Sequence, residues 1–132
     1  MKNKEIIKFI FNDSNKIDNS DYSWNFIKQI INADAKDYEL DIDNFKNLYI
    51  WKKGTWNNGY WKSGKWYNGT WHNGTWKGGI WKDGTWENGK WHEGVWENGK
   101  WVKGKIYDSK RKKHIESTVP PNECKWSLSY GK

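Results

Sequence analysis

Tryptophan and glycine recur at fixed intervals through the middle of the chain. Tryptophan occupies every fifth position from Trp51 to Trp101, which gives eleven copies, and a glycine follows each tryptophan by three residues. The positions between them are mostly polar or β-branched, so the apolar positions have a period of five and not the 3.6-residue period of an amphipathic helix. Tandem copies of W-x-x-G-x with this regularity predict a repeat architecture.

The residue before each glycine indicates how the repeats fold. Asparagine precedes every second glycine, at Asn58, Asn68, Asn88 and Asn98, with Gly78 as the exception. Asn-Gly is a strong signal for a two-residue type I′ turn, because both central residues of that turn need a positive φ. The true repeat is therefore ten residues, a hairpin of very short strands. The sequence predicts a mainly β protein: a tandem antiparallel β-hairpin meander with a tryptophan ladder about 50 Å long on one face.

A solenoid is the competing fold, with five residues on each side and about twenty residues per coil. Such a solenoid should repeat best at twenty residues, whereas this sequence already repeats at ten, and eleven indoles would overfill a narrow bore. Hairpins are therefore favoured. The indole face of a meander would far exceed the apolar patches that soluble monomers expose, so we expect self-closure of the sheet or a homo-oligomer to cover it.

The segments that flank the repeat predict three regions. Residues 1–50 are expected to form a small mixed α/β cap: an apolar segment at 3–12 that is either helix or strand, a helix from Ser23 to Ala33, and a strand from Tyr38 to Ile42. Residues 51–106 form the repeat, and residues 107–132 a basic, extended tail. Apolar and small residues alternate in that tail and predict an edge strand or a segment docked on the body: Cys124, Trp126, Leu128 and Tyr130.

Charge is unevenly distributed along the 132 residues. The formal net charge is +7, but residues 1–50 hold seven lysines and nine acidic residues, whereas residues 51–132 hold sixteen basic and seven acidic ones. This asymmetry indicates either an anionic partner for the C-terminal part or a solubility device for an aromatic-rich sheet.

A single cysteine excludes an internal disulfide and favours a reducing compartment. Without an apolar run of about 18 residues or a signal peptide, we expect a cytoplasmic protein with no membrane partner.

Lysine and histidine follow every second tryptophan, which places them in one file along an edge of the predicted meander: Lys52, Lys62, His72, Lys82 and His92. Such a file either contacts phosphates or an acidic protein, or prevents edge pairing between sheets. A second basic run consists of Lys110, Arg111, Lys112, Lys113 and His114. It either contacts a phosphate backbone or forms a solvated loop, and the solvated loop is favoured. The aromatic residues outside the ladder that are candidates for stacking on bases are Tyr60, Tyr67 and Trp126.

Patterns typical of enzymes and metal sites are not apparent in the sequence. Three histidines and one cysteine form no H-x-x-x-H or C-x-x-C pair, which argues against a metal site. Nearly all the glycines are explained by turns, so none remains for a phosphate-binding loop. We therefore expect a protein that is not an enzyme and that uses no metal or cofactor.

The string GTWHNGTWKGGIWKDGTWENGKW at residues 69–91 resembles the Trp-rich G-T-W-x-N-G repeat proteins encoded by tailed bacteriophages. More distantly it resembles MORN-type hairpin repeats. The resemblance implies a non-enzymatic interaction protein, such as an inhibitor of a host-defence complex or a virion accessory protein, located in the host cytoplasm or the virion. A protein is the first expected partner. The alternatives are nucleic acid, bound by the basic residues and free aromatics, and a glycan, bound by exposed indoles.

Overall fold

The computed structural model describes residues 26, 29–30, 32–43 and 48–132. Its thirteen strands are β1 Asp34–Asp43, β2 Leu48–Asn58, β3 Tyr60–Trp61, β4 Lys65–Trp66, β5 Thr70–Trp71, β6 Thr75–Trp76, β7 Ile80–Trp81, β8 Thr85–Trp86, β9 Lys90–Trp91, β10 Val95–Trp96, β11 Lys100–Trp101, β12 Gly104–Asp108 and β13 Lys113–Ser117. The predicted strand at 38–42 lies within β1 and is confirmed. The predicted helix is confirmed at Phe26, Gln29 and Ile30, while Asn32 and Ala33 form a turn. The remaining positions of that helix and the segment 3–12 lie outside the described residues.

The repeat forms a parallel β-solenoid, so the prediction of an antiparallel hairpin meander was wrong. Each short strand pairs in parallel with the strand fifteen residues later: Trp51 lies beside Trp66, Trp56 beside Trp71, and Trp61 beside Trp76. Backbone hydrogen bonds join successive coils, for example from the Lys82 amide to the Trp66 carbonyl at 2.8 Å. One coil is therefore fifteen residues with three sides, neither the ten-residue hairpin nor the twenty-residue coil considered from the sequence.

Each side of the solenoid is a stack of strands. Side 1 consists of the first half of β2 followed by β4, β7 and β10; side 2 consists of the second half of β2 followed by β5, β8 and β11. Side 3 consists of β3, β6, β9, β12 and β13 in that order. Strand β2 turns a corner and contributes to two sides, which is why sides 1 and 2 form one continuous sheet.

The indoles fill the bore of the solenoid, with one tryptophan from each side in every coil. Indoles fifteen residues apart stack at 4.7–5.1 Å between ring centroids and within 8° of parallel. Indoles five residues apart meet edge to face, for example Trp71 and Trp76 at 5.9 Å and 72°. The stacking distance matches the roughly 4.8 Å spacing of neighbouring strands, and both arrangements are favoured aromatic geometries. The expectation that eleven indoles overfill a solenoid was therefore wrong, because three indoles close a triangle.

The coil turns its corners at glycines. Gly79 has a φ of 112°, and a Cβ placed on it would lie 2.2 Å from the Gly64 carbonyl oxygen, so the corner requires glycine both for its backbone conformation and for the close approach of successive coils. The asparagines that precede several of these glycines do not have a positive φ; among described non-glycine residues only Asp37 and Lys112 do. The corners are therefore not type I′ turns. The asparagine side chain instead accepts a hydrogen bond from the glycine amide, as between Asn68 and Gly69 at 2.9 Å.

The N-terminal end of the solenoid is capped on all three sides. Strand β1 pairs antiparallel with β2 and places Leu40 beside Trp51. The helical residues cover side 3, where the Gln29 side-chain amide donates to the Ser63 carbonyl at 2.9 Å and its oxygen accepts from the Lys62 amide at 2.7 Å. Gln29 thus supplies the donor and acceptor that a further coil would supply.

The C-terminal end is closed by a hairpin and the tail. Strand β12 continues side 3, with Ile106 in place of the next tryptophan, and pairs antiparallel with β13. The Trp101 indole N–H donates to the Ser117 carbonyl at 3.0 Å, and the Trp91 indole N–H donates to the Ser129 hydroxyl at 3.0 Å. Of the two predicted arrangements for the tail, an edge strand or a segment docked on the body, the structure shows the docked segment. The ladder indoles are therefore covered within a single chain.

Candidate anion-binding face

Two columns of outward-facing residues run along side 3, one on either side of the buried tryptophans. Positions fifteen residues apart stack in each column, and β13 adds the last member of both. The column that follows the tryptophans, called the Lys-His column here, contains Lys62, Lys77, His92, Tyr107 and His114. The column that precedes them, called the second column, contains Tyr60, Thr75, Lys90, Lys105 and Glu116.

Side chains within the Lys-His column are in direct contact. The Lys77 ammonium lies 3.2 Å from Nδ1 and 3.4 Å from Nε2 of His92. The His92 ring stacks on the Tyr107 ring at 4.2 Å with an angle of 25° between the planes, and Tyr107 meets His114 edge to face at 5.3 Å. A neutral imidazole nitrogen can accept from an ammonium, whereas a protonated imidazole cannot. The geometry therefore fits a neutral His92.

The electrostatic environment explains that protonation state. Partial burial lowers the pKa of His92, the Lys77 charge lowers it further, and Glu93 opposes the change. Burial also lowers the pKa of His114, followed by the effects of His92, Lys90, Lys105 and Lys77. Both imidazoles are thus held neutral near pH 7 by desolvation and nearby positive charge.

The lysines of side 3 lack acidic partners within the described chain. On the other two sides, some basic residues have an acidic neighbour in the same column: Lys82 lies 3.6 Å from Glu97, and Nδ1 of His72 lies 2.6 Å from a carboxylate oxygen of Glu87. None of the ion pairs between described residues includes a lysine of side 3, namely Lys62, Lys77, Lys90 and Lys105. Side 3 therefore carries uncompensated positive charge next to neutral aromatic rings.

The predicted Lys/His file is not assembled, because successive members lie ten residues apart and each falls two sides further around the coil. Lys52 and Lys82 lie on side 1, His72 lies on side 2, and Lys62 and His92 lie on side 3. The file was therefore a consequence of the wrong register, and its members belong to three separate columns.

The other predicted site residues are also dispersed. Tyr60 lies on side 3 and is 48% exposed, whereas Tyr67 lies on side 1 with the Lys82 ammonium 5.4 Å above its ring. Trp126 lies in the tail, where its indole N–H donates to the Ile106 carbonyl at 3.2 Å. The basic run lies at the end of side 3: Lys110, Arg111 and Lys112 belong to the exposed turn between β12 and β13, and Lys113 is the first residue of β13.

Four members of the two columns were not predicted as site residues from the sequence: Lys77, Lys90, Lys105 and Tyr107. With a ten-residue repeat, Lys77 falls on the strands that alternate with those of Lys62 and His92. A comparison of positions fifteen residues apart would have placed Lys77 between Lys62 and His92 in one column. His114 lies outside the repeat, and the sequence identified it only as the end of the basic run at residues 110–114. Only the antiparallel pairing of β12 with β13, which places it beside Tyr107, brings it into the column.

The tryptophan ladder offers no binding surface to a ligand. Each of its eleven indoles is at most 8% exposed, so no ladder ring can stack on a sugar or a base. Tyr107 is likewise occupied, because His92 and His114 contact it from the two neighbouring positions. The exposed aromatics Tyr60, Tyr67 and Trp126 lie on different parts of the molecule and form no common stacking surface.

Other chemistry is limited in the part of the chain that the structure describes. Burial raises the pKa of the Cys124 thiol, which leaves it protonated and not activated as a nucleophile. Within the described residues, no group of three or more His, Cys, Asp or Glu side chains is placed to bind a metal ion. The described helical residues include no segment with the length and apolar character needed to cross a membrane.

Comparison with protein-family models, curated proteins and solved structures gave no match to this chain.

Proposed function

We propose that this chain is a non-enzymatic binding protein whose rigid solenoid presents the side-3 columns to the acidic surface of a partner protein. The observation that carries the proposal is the set of four lysines on one flat side, without acidic partners among the described residues, around a neutral His-Tyr-His stack. For a phage-type product of this kind, the partner is a host or viral protein, such as a component of a defence complex or of the virion.

Rigidity supports a binding role. The bore is filled by stacked indoles and both ends are capped, so the outward columns are held on a backbone with little freedom to rearrange. Binding by a preorganised surface avoids the entropic cost of ordering loops on association. Lysine side chains on such a surface would steer an acidic partner through their combined field.

A protein partner is favoured over nucleic acid by the state of the aromatic rings. Proteins that bind single strands without sequence preference stack bases on exposed aromatic side chains, whereas the rings of the Lys-His column are stacked on one another. A glycan partner loses its basis, because that hypothesis required exposed indoles.

The test compares two variants of equal net charge. The side-3 variant carries Lys62→Glu, Lys77→Glu, Lys90→Glu and Lys105→Glu, and the control variant carries Lys52→Glu, Lys65→Glu, Lys100→Glu and Lys103→Glu on the other two sides. The probe is a fluorescent oligoglutamate peptide at low salt, followed by fluorescence anisotropy. Four surface charge pairs at about 0.5 kcal/mol each amount to about 2 kcal/mol, or roughly a thirtyfold loss of affinity for the side-3 variant.

The control variant is expected to lose much less, because only the overall field changes. Equal losses in the two variants would contradict the proposal, since they would show that net charge alone governs binding. A short DNA duplex in the same assay identifies the alternative: tighter binding than the peptide, with a steep loss of affinity on added salt, would indicate a nucleic-acid-binding face.

A further inference from the structure

Two histidines lie within one cluster at the C-terminal end of side 3. The ring centroids of His92 and His114 are 6.1 Å apart, and Tyr107 contacts both rings. Nε2 of His114 is buried and has no hydrogen-bond partner among the described residues. Placing a proton and a charge on this cluster therefore adds a donor without an acceptor in the free protein.

Positive groups surround the cluster from every element that packs against it. The preceding coil contributes Lys77, β9 contributes Lys90, and β12 contributes Lys105. These elements carry three acidic residues. Glu93 follows His92 in the chain. In the register of β12 and β13, Glu116 lies opposite Lys105, and Asp108 lies opposite Lys113. Asp108 is already engaged by Arg111 at 3.5 Å. Among the described residues, the Lys-His column contains no acidic side chain, so an external anion is the group that the cluster lacks.

We infer that the His92-Tyr107-His114 cluster makes anion binding on side 3 pH-dependent, so that an acidic partner is bound more tightly as the pH falls and both imidazoles take up protons. This inference rests on the proposed function and assigns a regulatory role to the same face. In the free protein the lysines oppose protonation. A bound carboxylate offsets the lysine charge and offers an acceptor to the imidazole N–H groups.

Thermodynamic linkage fixes the sign of the effect. Burial and the lysines hold the pKa values of both histidines below the usual range, and an anion bound beside them raises those values. Binding is then coupled to proton uptake, and affinity increases as the pH falls toward the pKa values of the complex. A ligand that raises one histidine pKa by about one unit gains up to about tenfold in affinity from that histidine.

The chain supplies its own control, because it contains three histidines and the third lies elsewhere. His72 is on side 2 and pairs with Glu87. The experiment measures the dissociation constant of the oligoglutamate peptide at pH 7.5 and pH 5.5 for the wild type, for H92Q/H114Q and for H72Q. Titration of the peptide itself is common to all three proteins, so it cancels when their affinity ratios are compared.

We expect affinity to rise by at least about fivefold more in the wild type and in H72Q than in H92Q/H114Q between these pH values. NMR titration of the three imidazoles should show the pKa values of His92 and His114 rising when the peptide is bound, with His72 unchanged. The same pH dependence in all three proteins, or histidine pKa values unaffected by the peptide, would overturn the inference. If binding is still lost in the side-3 lysine variant, the proposed function survives that result; if no protein binds the peptide at either pH, both fail.

Discussion

The adjacent residues Gly78 and Gly79 provide the most direct test of the solenoid. Substitution of Gly79 by alanine places a Cβ at a φ of 112°, 2.2 Å from the Gly64 carbonyl oxygen. An ordinary van der Waals contact begins at 3.4 Å, so the two coils would have to separate by about 1.2 Å. That oxygen also accepts the hydrogen bond from the Ile80 amide at 3.0 Å, which the separation would break.

The magnitude follows from these terms. A side chain in the sparsely populated positive-φ region costs about 1–3 kcal/mol, and overpacking against a rigid neighbour costs about 1–3 kcal/mol more. We therefore expect Gly79→Ala to lower the free energy of unfolding by about 2–6 kcal/mol. At about 4 °C per kcal/mol for a domain of this size, this corresponds to a drop in Tm of roughly 8–24 °C.

Gly78→Ala is the matched control. An added Cβ there would have the Lys62 carbonyl oxygen at 3.7 Å and Glu93 Cγ at 3.8 Å as its nearest neighbours, and no positive φ is involved. We expect a change within about 1 kcal/mol, with a small gain from the reduced freedom of the unfolded chain. Urea titration followed by tryptophan fluorescence and near-ultraviolet circular dichroism measures both variants.

The two folds that the sequence left open differ in this assay. A type I′ hairpin turn would require a positive φ at residue 78 as well as at residue 79, so both substitutions would be damaging. Equal destabilisation by the two substitutions, or a Gly79→Ala variant as stable as the wild type, would refute the packing of coil on coil.

Two further predictions concern the core and the pH dependence of stability. Trp71→Ala should lower the free energy of unfolding by about 3–5 kcal/mol, because it opens a cavity between two stacked indoles. Trp126 is 36% exposed, so Trp126→Ala should cost much less. Chemical denaturation of both variants checks this prediction, and comparable losses would contradict it. Because the pKa values of His92 and His114 are lowered in the folded state, stability should fall as the pH decreases below about 6.5, where the unfolded chain takes up protons first. H92Q/H114Q should lose less than the wild type in thermal melts over this range, and an equally steep acid loss in that variant would exclude these histidines as the cause.

The two columns of side 3 could be predicted only in part from the sequence. The basic residues could be counted from the sequence, but their grouping depended on the length of the coil. With a ten-residue period, Lys62 is aligned with His72. With a fifteen-residue period, Lys62 is aligned with Lys77 and His92, and His72 lies on side 2. Lys90 and Lys105, the two lysines of the second column, lie fifteen residues apart, so only the fifteen-residue coil places them next to each other.

The sequence by itself determined the repeat, its β structure and the role of the indoles as the core, because a tryptophan at every fifth position and a glycine at every corner leave few other ways to bury the apolar surface. It also indicated that residues 1–50 and the tail flank the repeat. The number of repeats per coil was decided by the tertiary structure. Any multiple of five satisfies the local pattern, and Asn-Gly pairs suit a hairpin locally. In the folded chain, three indoles that meet edge to face close the bore. That packing joins residues fifteen apart, so it sets the strand register and, through it, which charged side chains share a face.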